Sequence, residues 1–176
     1  MRGNCWLGVF GGALAALVMG EVATAAACPT AIEPLAAQLL EDLPAYANRS
    51  IRRSVGDRTE LSRHIILAGR AEYEPLPLGS QEYQQSFPDA RQQVAQVFFT
   101  TLEQRSRQRE RSSTQNYHWL ILAQTPERGW DLLAMFTRPG ALAPNVPPQT
   151  VRETTRSAIA QGIRLWLRDC DVGALR

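Results

Sequence analysis

The chain has 176 residues, of which 44% are hydrophobic and 20% are charged, values typical of a globular protein rather than a disordered or multi-span membrane protein. The 19 basic residues nearly balance the 17 acidic ones, so the overall charge gives no indication of nucleic-acid binding. All of the basic residues are Arg and none is Lys. This composition excludes Schiff-base chemistry, a lysine general base and a phosphate-binding P-loop.

The N-terminal segment has the features of a secretory signal peptide. A short basic stretch is followed by an apolar run over Cys5–Met19 and then by a stretch of small residues. The apolar run is shorter than the ~20 residues that a membrane span needs, so an uncleaved anchor is the weaker alternative. Ala25 and Ala27 form an A-x-A cleavage pattern. The pattern predicts a cleaved signal peptide at 1–27 and a single globular domain at 28–176.

The predicted mature chain keeps two cysteines, Cys28 at its start and Cys170 near its end. An even number of cysteines in an oxidising compartment indicates a disulfide, and antiparallel first and last helices would bring both thiols to one end of the domain. The alternative is a lipid-anchored protein in which Cys28 carries the lipid and Cys170 stays free. Ala25 argues against lipidation, because bacterial lipoprotein signals usually have a large aliphatic residue at that position. Membrane contact is expected only if Cys28 is lipidated.

The hydrophobic periodicity predicts an α+β fold, with an antiparallel sheet of about three strands packed against three helices in the order α-β-α-β-β-α. The helices are predicted at 31–53, 86–105 and 150–170. Pro44 predicts a kink or break in the first helix. The strands are predicted at 62–73, as a central strand, and at 117–125 and 130–138, as a hairpin.

The apolar residues of this hairpin alternate with period two. The alternation predicts one apolar set on a single face of each strand: Trp119, Ile121 and Ala123 on the first, and Trp130, Leu132, Ala134 and Phe136 on the second. Three tryptophans lie on apolar stripes and are predicted to pack in the core, namely Trp119, Trp130 and Trp166.

Two histidines, His64 and His118, lie on predicted strands and are the candidates for acid–base chemistry. Two imidazoles do not complete a zinc site, which needs three or four ligands; Glu60, Asp57 or Asp131 would complete one only if the fold brings them together. A single strand histidine is more often a hydrogen-bonded packing residue. The sequence contains no nucleophile motif of the Gly-x-Ser-x-Gly type. We therefore assign no catalytic residue, metal or cofactor from the sequence.

The chain has one cluster of basic residues, in the polar stretch that follows Leu102: Arg105, Arg107, Arg109 and Arg111. The cluster is a candidate surface for an anionic partner, because arginine binds phosphate and carboxylate groups in a bidentate manner. The alternative is the solvated end of a helix, where cations interact favourably with the helix dipole. Nucleic acid is not an expected partner, because no stacking motif accompanies these arginines.

Several short motifs resemble those of a cyanobacterial family of small exported proteins: Cys28-Pro29-Thr30, Asp42-Leu43-Pro44, Ala68-Gly69-Arg70, Glu74-Pro75-Leu76-Pro77-Leu78, Gln96-Val97-Phe98-Phe99, Tyr117-His118-Trp119-Leu120 and Trp166-Leu167-Arg168-Asp169-Cys170. That family has no assigned reaction, so the resemblance implies no catalytic residue. It implies export to the periplasm or the thylakoid lumen of a Gram-negative-like cell.

From the sequence, the function that we expect is that of an exported, non-catalytic domain that binds an extracytoplasmic protein or a small ligand. Two alternatives remain open. One is a small hydrolase-like enzyme that uses His64 or His118 with nearby carboxylates. The other is a periplasmic accessory protein anchored by a lipid on Cys28.

Overall fold

The computed structural model describes residues 27–55, 61–73, 93–107, 110–126, 129–140 and 149–175. The predicted signal peptide, apart from Ala27, lies outside the described residues. Within them the chain forms two helices, α1 (Ile32–Val55) and α2 (Ala158–Asp171). The same ranges contain five strands, β1 (Leu61–Ala68), β2 (Gln93–Arg107), β3 (Glu110–Thr125), β4 (Gly129–Pro139) and β5 (Arg152–Glu153).

The five strands form one antiparallel sheet in the order β1-β2-β3-β4-β5. Its centre is the long β2–β3 hairpin, in which Gln93 pairs with Gln124 at one end and Arg107 pairs with Glu110 at the other. The prediction of about three strands and three helices in the order α-β-α-β-β-α is therefore wrong. The described elements follow the order α-β-β-β-β-β-α.

The predicted second helix is the main error, because its described part is strand β2. Val94, Phe98 and Leu102 recur at helical spacing, but they also share one face of a strand, with Val97 and Phe99 on the other face. Both faces of β2 carry apolar side chains, and such a run satisfies the helical and the strand period at once. Residues 86–92 of the predicted helix lie outside the described residues.

The two remaining helices differ in their bounds from the prediction. α1 continues through Pro44 as one helix, because Leu43 and Ala47, on either side of the proline, are fully buried in the core. α2 begins at Ala158 and not near Thr150, with Ser157 as the N-cap residue whose hydroxyl accepts a hydrogen bond from the Ala160 backbone N–H. The strand predicted at 62–73 lies at an edge of the sheet and not at its centre.

Both helices pack on one side of the sheet, which we call the inner face. The inner face presents Val97, Phe99, Leu120, Leu122 and Met135 to the helices, and these residues form one buried cluster with the apolar residues of α1 and α2. The helices approach each other closely at Gly162, where a Cβ atom would lie 2.8 Å from the Cα atom of Ala47. A larger residue at position 162 would force α1 and α2 apart.

The predicted hairpin between β3 and β4 is present, but the apolar set of its second strand does not share a single face as expected. The register shifts between Ile121, which pairs with Ala134, and Leu122, which pairs with Leu132. This β-bulge moves the second half of β4 by one residue. Trp130 and Leu132 therefore join the inner core, whereas Ala134 and Phe136 lie opposite Ile121 and Trp119 on the other side of the sheet, the outer face.

Asn48 fixes α1 to the free edge of the sheet. Its side-chain Oδ1 accepts a hydrogen bond from the Ile65 backbone N–H at 2.7 Å, and its Nδ2 donates to the Ile65 carbonyl at 2.8 Å. The amide thereby supplies the donor and the acceptor that a neighbouring strand would otherwise provide.

A disulfide joins Cys28 to Cys170, with their Cα atoms 5.1 Å apart and their positions separated by 142 in the sequence. This is the bond that the sequence predicts, and it connects the segment before α1 to the last turn of α2. The segment is also held by Trp130, whose indole N–H donates to the Thr30 carbonyl at 2.9 Å. A thioether-linked lipid on Cys28 and this disulfide are mutually exclusive, because both need the same sulfur atom.

We expect reduction of the Cys28–Cys170 disulfide to lower the melting temperature. In the loop-entropy model a bridge that closes so long a loop contributes at most about 5 kcal/mol, chiefly by restricting the unfolded chain. Thermal denaturation with and without dithiothreitol measures the effect. The Cys28→Ser/Cys170→Ser double variant is the control, since it should melt at the lower temperature and no longer respond to dithiothreitol. Two free thiols in the unreduced native protein, detected by mass spectrometry, would contradict the prediction.

Candidate functional site

The inner face of the sheet has an apolar half and a polar half. In β2 the residues of this face continue from Val97 and Phe99 to Thr101 and Glu103, and the polar half extends onto β3. Its polar residues are almost fully buried, and they are Thr101, Glu103, Thr114, Asn116 and His118. Buried polar side chains are stable only when their hydrogen bonds are satisfied, so this half of the face is the part of the described structure with the strongest chemical constraints.

Glu103 holds one end of the polar half. Its side chain is 1% exposed, and its Oε2 accepts a hydrogen bond from Arg63 Nε at 2.7 Å. The Arg63 side chain is 38% exposed, so the ion pair connects a buried carboxylate to a cation at the surface. The hydroxyl of Thr101 donates to the other carboxylate oxygen, Oε1, at 3.4 Å.

His118 connects this end to the far side of the sheet. Its Nε2 lies 2.8 Å from the Thr101 hydroxyl, and its Nδ1 lies 2.9 Å from the Thr137 hydroxyl. Thr137 lies in turn 2.7 Å from the hydroxyl of Thr154. A continuous hydrogen-bonded chain thus crosses the sheet from β1 to the residue after β5, and we call it the polar row: Arg63, Glu103, Thr101, His118, Thr137 and Thr154.

The environment of His118 holds its imidazole in the neutral form. Burial lowers the pKa of His118 from 6.5 to about 4; the charge of Glu103 opposes this effect and the charge of Arg63 adds to it. The ring stacks on Phe99, with the two ring centroids 4.9 Å apart, so its environment is apolar on that side. At neutral pH the imidazole is a hydrogen-bonding group without charge.

The structure does not bring the two histidines together. His64 pairs with Gln104 in the β1–β2 register, which places it on the outer face, whereas His118 faces the helices. Of the carboxylates considered for a metal site, Asp131 lies at the opposite end of the hairpin, where its Oδ1 accepts a hydrogen bond from the Leu132 N–H. Glu60 and Asp57 lie outside the described residues. Within the described parts of the chain, no three His, Cys, Asp or Glu side chains form a group suited to a metal ion.

The predicted arginine cluster lies at the end of the β2–β3 hairpin and not at the end of a helix. Arg105 and Arg111 are both exposed. Arg105 pairs with Arg63 of β1 on the inner face, whereas Arg111 pairs with Ser106 on the outer face. Arg107 is the last residue of β2, and Arg109 lies outside the described residues. We call Arg63, Arg105 and Arg111 together the arginine end of the sheet.

The outer face carries a second group of aromatic residues. The ring of Phe98 lies 5.4 Å from that of Trp119 and 6.4 Å from that of Tyr117, and the Arg138 guanidinium lies 4.8 Å from the centre of the Tyr117 ring. Trp119 is buried here and is not part of the inner core, whereas Trp130 and Trp166 are. The prediction that all three tryptophans are buried is confirmed, although Trp119 packs on the outer face and lies outside the cluster of the inner face.

Most members of the polar row were missed by the sequence interpretation. Glu103 and Thr101 lie in the segment that was predicted as a helix, where their side chains would be solvated. Their burial is expected only if β2 is a strand, because both side chains then share the inner face with Phe99. The role of Thr137 depends on the pairing of β3 with β4, which places it opposite His118.

No protein family, curated protein or solved structure matches the chain. The resemblance to a cyanobacterial family of exported proteins therefore stays a prediction. No helix in the described ranges is long and apolar enough to cross a membrane.

We expect the stability of the protein to fall as the pH decreases from about 7 to about 4. Unfolded histidine binds a proton near pH 6.5, whereas folded His118 stays neutral until about pH 4. The unfolded state therefore binds more protons over this range, and the contribution of His118 lowers the unfolding free energy by about 2 kcal/mol at pH 5 relative to pH 7.

Urea denaturation at a series of pH values measures this dependence. The His118→Gln variant should lose this part of the pH dependence, whatever its absolute stability. The His64→Gln variant is the matched control and should retain it. Equal pH dependence in the wild type and in His118→Gln would contradict the prediction.

Proposed function

We propose that the chain is an exported, non-catalytic binding domain that engages an anionic group of an extracytoplasmic partner through the arginine end of its sheet. The observation that carries the proposal is the pairing of Arg63 with Arg105 on neighbouring strands. Like charges that face each other directly across two strands repel and destabilise the sheet. An anionic group placed between the two guanidinium groups would remove this repulsion.

The surrounding charges favour an external anion. The buried carboxylate of Glu103 contacts the Nε atom of Arg63, so it neutralises the charge of the guanidinium group only on that side. Among the described residues, no carboxylate forms an ion pair with Arg105 or Arg111. Arginine is suited to this role because its planar guanidinium group binds carboxylate, sulfate and phosphate groups with two parallel hydrogen bonds.

An extracytoplasmic location is the second part of the proposal. The Cys28–Cys170 disulfide is compatible with an oxidising compartment such as the periplasm or the thylakoid lumen, since disulfides seldom persist in the reducing cytosol. The apolar N-terminal run and the A-x-A pattern before Cys28 supply a route to that compartment.

The described geometry supports a binding domain better than a hydrolase. Both ring nitrogens of His118 are engaged by threonine hydroxyls inside the sheet, and the residue is fully buried. His64 lies on the other face and shares no hydrogen bond with the polar row. A general base needs to reach the proton that it abstracts from a substrate, whereas His118 is directed to its neighbours in the fold.

We expect the native protein to begin at Cys28. If residues 1–27 are a cleaved signal peptide, N-terminal sequencing of the protein recovered from its own cells should find Cys28 as the first residue. A chain expressed without residues 2–27 is the control, because it should remain in the cytosol with reduced thiols. Recovery of Met1 or Arg2 from the mature protein pool would contradict export by cleavage.

We expect the Arg105→Gln/Arg111→Gln variant to bind polyanions more weakly with little change in stability. Exposed substitutions usually alter the unfolding free energy by no more than about 0.5 kcal/mol each, whereas loss of two cations removes charge-assisted hydrogen bonds. The measurement is the salt concentration that elutes the protein from an immobilised sulfated polysaccharide, followed by affinity capture from extracytoplasmic extracts with the same variants.

The control for this experiment is the Arg152→Gln/Arg156→Gln variant, which removes the same charge from exposed positions elsewhere on the molecule. Earlier elution of the first variant but not of the control supports the arginine end as the binding surface. Identical elution of the two variants would show that only the net charge matters, and it would contradict the proposal.

A further inference from the structure

The polar row has a property that a set of isolated hydrogen bonds lacks, because each internal member is able both to donate and to accept. Adjacent members lie 2.7 Å (Thr154–Thr137), 2.9 Å (Thr137–His118), 2.8 Å (His118–Thr101) and 3.4 Å (Thr101–Glu103) apart. Hydroxyl groups and a neutral imidazole each carry one hydrogen and at least one lone pair. In a chain of such groups all the hydrogen bonds run in the same direction, and the groups at the two ends determine which direction that is.

If Glu103 is ionised, its carboxylate decides the direction of the row. An ionised carboxylate only accepts, so Thr101 donates to it and must accept from the N–H of His118 Nε2. The Nδ1 atom of His118 then has a lone pair and accepts from the Thr137 hydroxyl. Thr137 accepts from Thr154 in its turn. All four hydrogens therefore point towards Glu103, and the neutral imidazole carries its proton on Nε2.

The opposite direction is also fully satisfied. The hydroxyl of Thr154 has a second acceptor, the Met135 carbonyl oxygen at 3.3 Å. If Glu103 carries a proton, it donates to Thr101, Thr101 donates to Nε2, and Nδ1–H donates to Thr137. Thr137 then donates to Thr154, and Thr154 donates to the Met135 carbonyl. No buried polar atom of the row loses its partner in either arrangement.

We propose that the polar row is a reversible proton relay that connects the half-buried Thr154 to the buried carboxylate of Glu103 and switches the tautomer of His118. A proton from water binds at Thr154, and each hydrogen of the row moves one step towards Glu103. Thr154 passes its hydrogen to Thr137, Thr137 to Nδ1, Nε2 to Thr101, and Thr101 to the carboxylate. Every O–H or N–H bond that breaks is matched by one that forms, and the row gains one proton from water.

The charges around the row determine which arrangement is populated. Arg63 on β1 forms an ion pair with Glu103 on β2 and favours the ionised form of that side chain. Arg105 lies farther along the inner face, and Arg152 on β5 is the register partner of Thr137. Both arginines are exposed. The two charges that act on His118 are those of Glu103 and Arg63. Loss of either charge shifts the row towards the reversed arrangement.

The Glu103→Gln variant tests this inference because an amide fixes the direction of the row. Arg63 needs an acceptor, so the amide oxygen occupies the position of Oε2 and the amide NH₂ faces Thr101. The NH₂ group donates to Thr101, Thr101 donates to Nε2 of His118, and the imidazole proton moves to Nδ1. The measurement is the ¹⁵N NMR spectrum of the protein labelled at histidine, in a His64→Gln background that leaves His118 as the only imidazole.

In the His64→Gln protein at pH 7 we expect Nε2 to have the shift of a protonated ring nitrogen and Nδ1 that of an unprotonated one. In Glu103→Gln we expect these two shifts to be exchanged. The control variant Arg105→Gln changes the same face without contacting Glu103 and should leave the shifts unchanged. An Nδ1–H tautomer in the protein that retains Glu103, or an unchanged Nε2–H tautomer in folded Glu103→Gln, would overturn the proposal.

A second variant tests the relay without altering Glu103. Thr137→Val removes the hydroxyl between Thr154 and His118 at nearly constant volume, and it should slow the exchange of the His118 N–H with D₂O. Thr114→Val, a buried threonine on the same face but outside the row, should exchange at the wild-type rate. Equal exchange in the wild type and in Thr137→Val would overturn the relay, and this measurement also serves if Glu103→Gln does not fold.

Discussion

The carboxylate of Glu103 is the group on which the polar half of the inner face depends. An isolated charge in the protein interior is strongly unfavourable unless a counter-charge and hydrogen bonds compensate it. Arg63 supplies the counter-charge and Thr101 a hydrogen bond, and in the proposed arrangement of the polar row Thr101 accepts a hydrogen bond from the N–H of His118. Each group in the row therefore satisfies the hydrogen bond of the group before it. The row connects four strands and the segment before α2, and it begins at a single buried charge.

The other half of the same face depends on close packing and not on charge. α1 and α2 contact each other directly at Gly162 and Ala47, and Trp166 of α2 donates its indole N–H to Asp42 of α1 at 2.8 Å. The disulfide joins the two ends of this helix pair. The helices thus form one layer over the apolar half of the sheet, and the pairing of Asn48 with Ile65 connects this layer to the edge strand.

The hydrophobic pattern of a segment was sufficient to predict its structure where one period, helical or strand, dominated and any pairing strand lay nearby in the sequence. It located α1 and the β3–β4 hairpin in this way. The disulfide was predicted instead from the even number of cysteines in an exported chain, although its two cysteines lie 142 positions apart. The pattern failed at β2, where apolar residues on both faces imitate a helical stripe. It also placed the start of α2 too early, near Thr150, because the segment before Ala158 pairs with β4 through the hydroxyls of Thr154 and Thr155. Pairings of this kind are decided by tertiary contacts that no single segment encodes.

Arg63 belongs both to the arginine end and to the polar row, and this sharing couples the two proposals. An anion that draws the Arg63 guanidinium away from Glu103 leaves the buried carboxylate without its counter-charge, and proton uptake by the row relieves that cost. Thermodynamic linkage is reciprocal, so a proton on Glu103 would in turn free Arg63 to bind an anion more tightly. Anion binding at the surface and the tautomer of His118 would then report the same equilibrium. Arg105 and Arg111, which do not contact Glu103, would contribute to the affinity for the anion but not to its coupling with the proton.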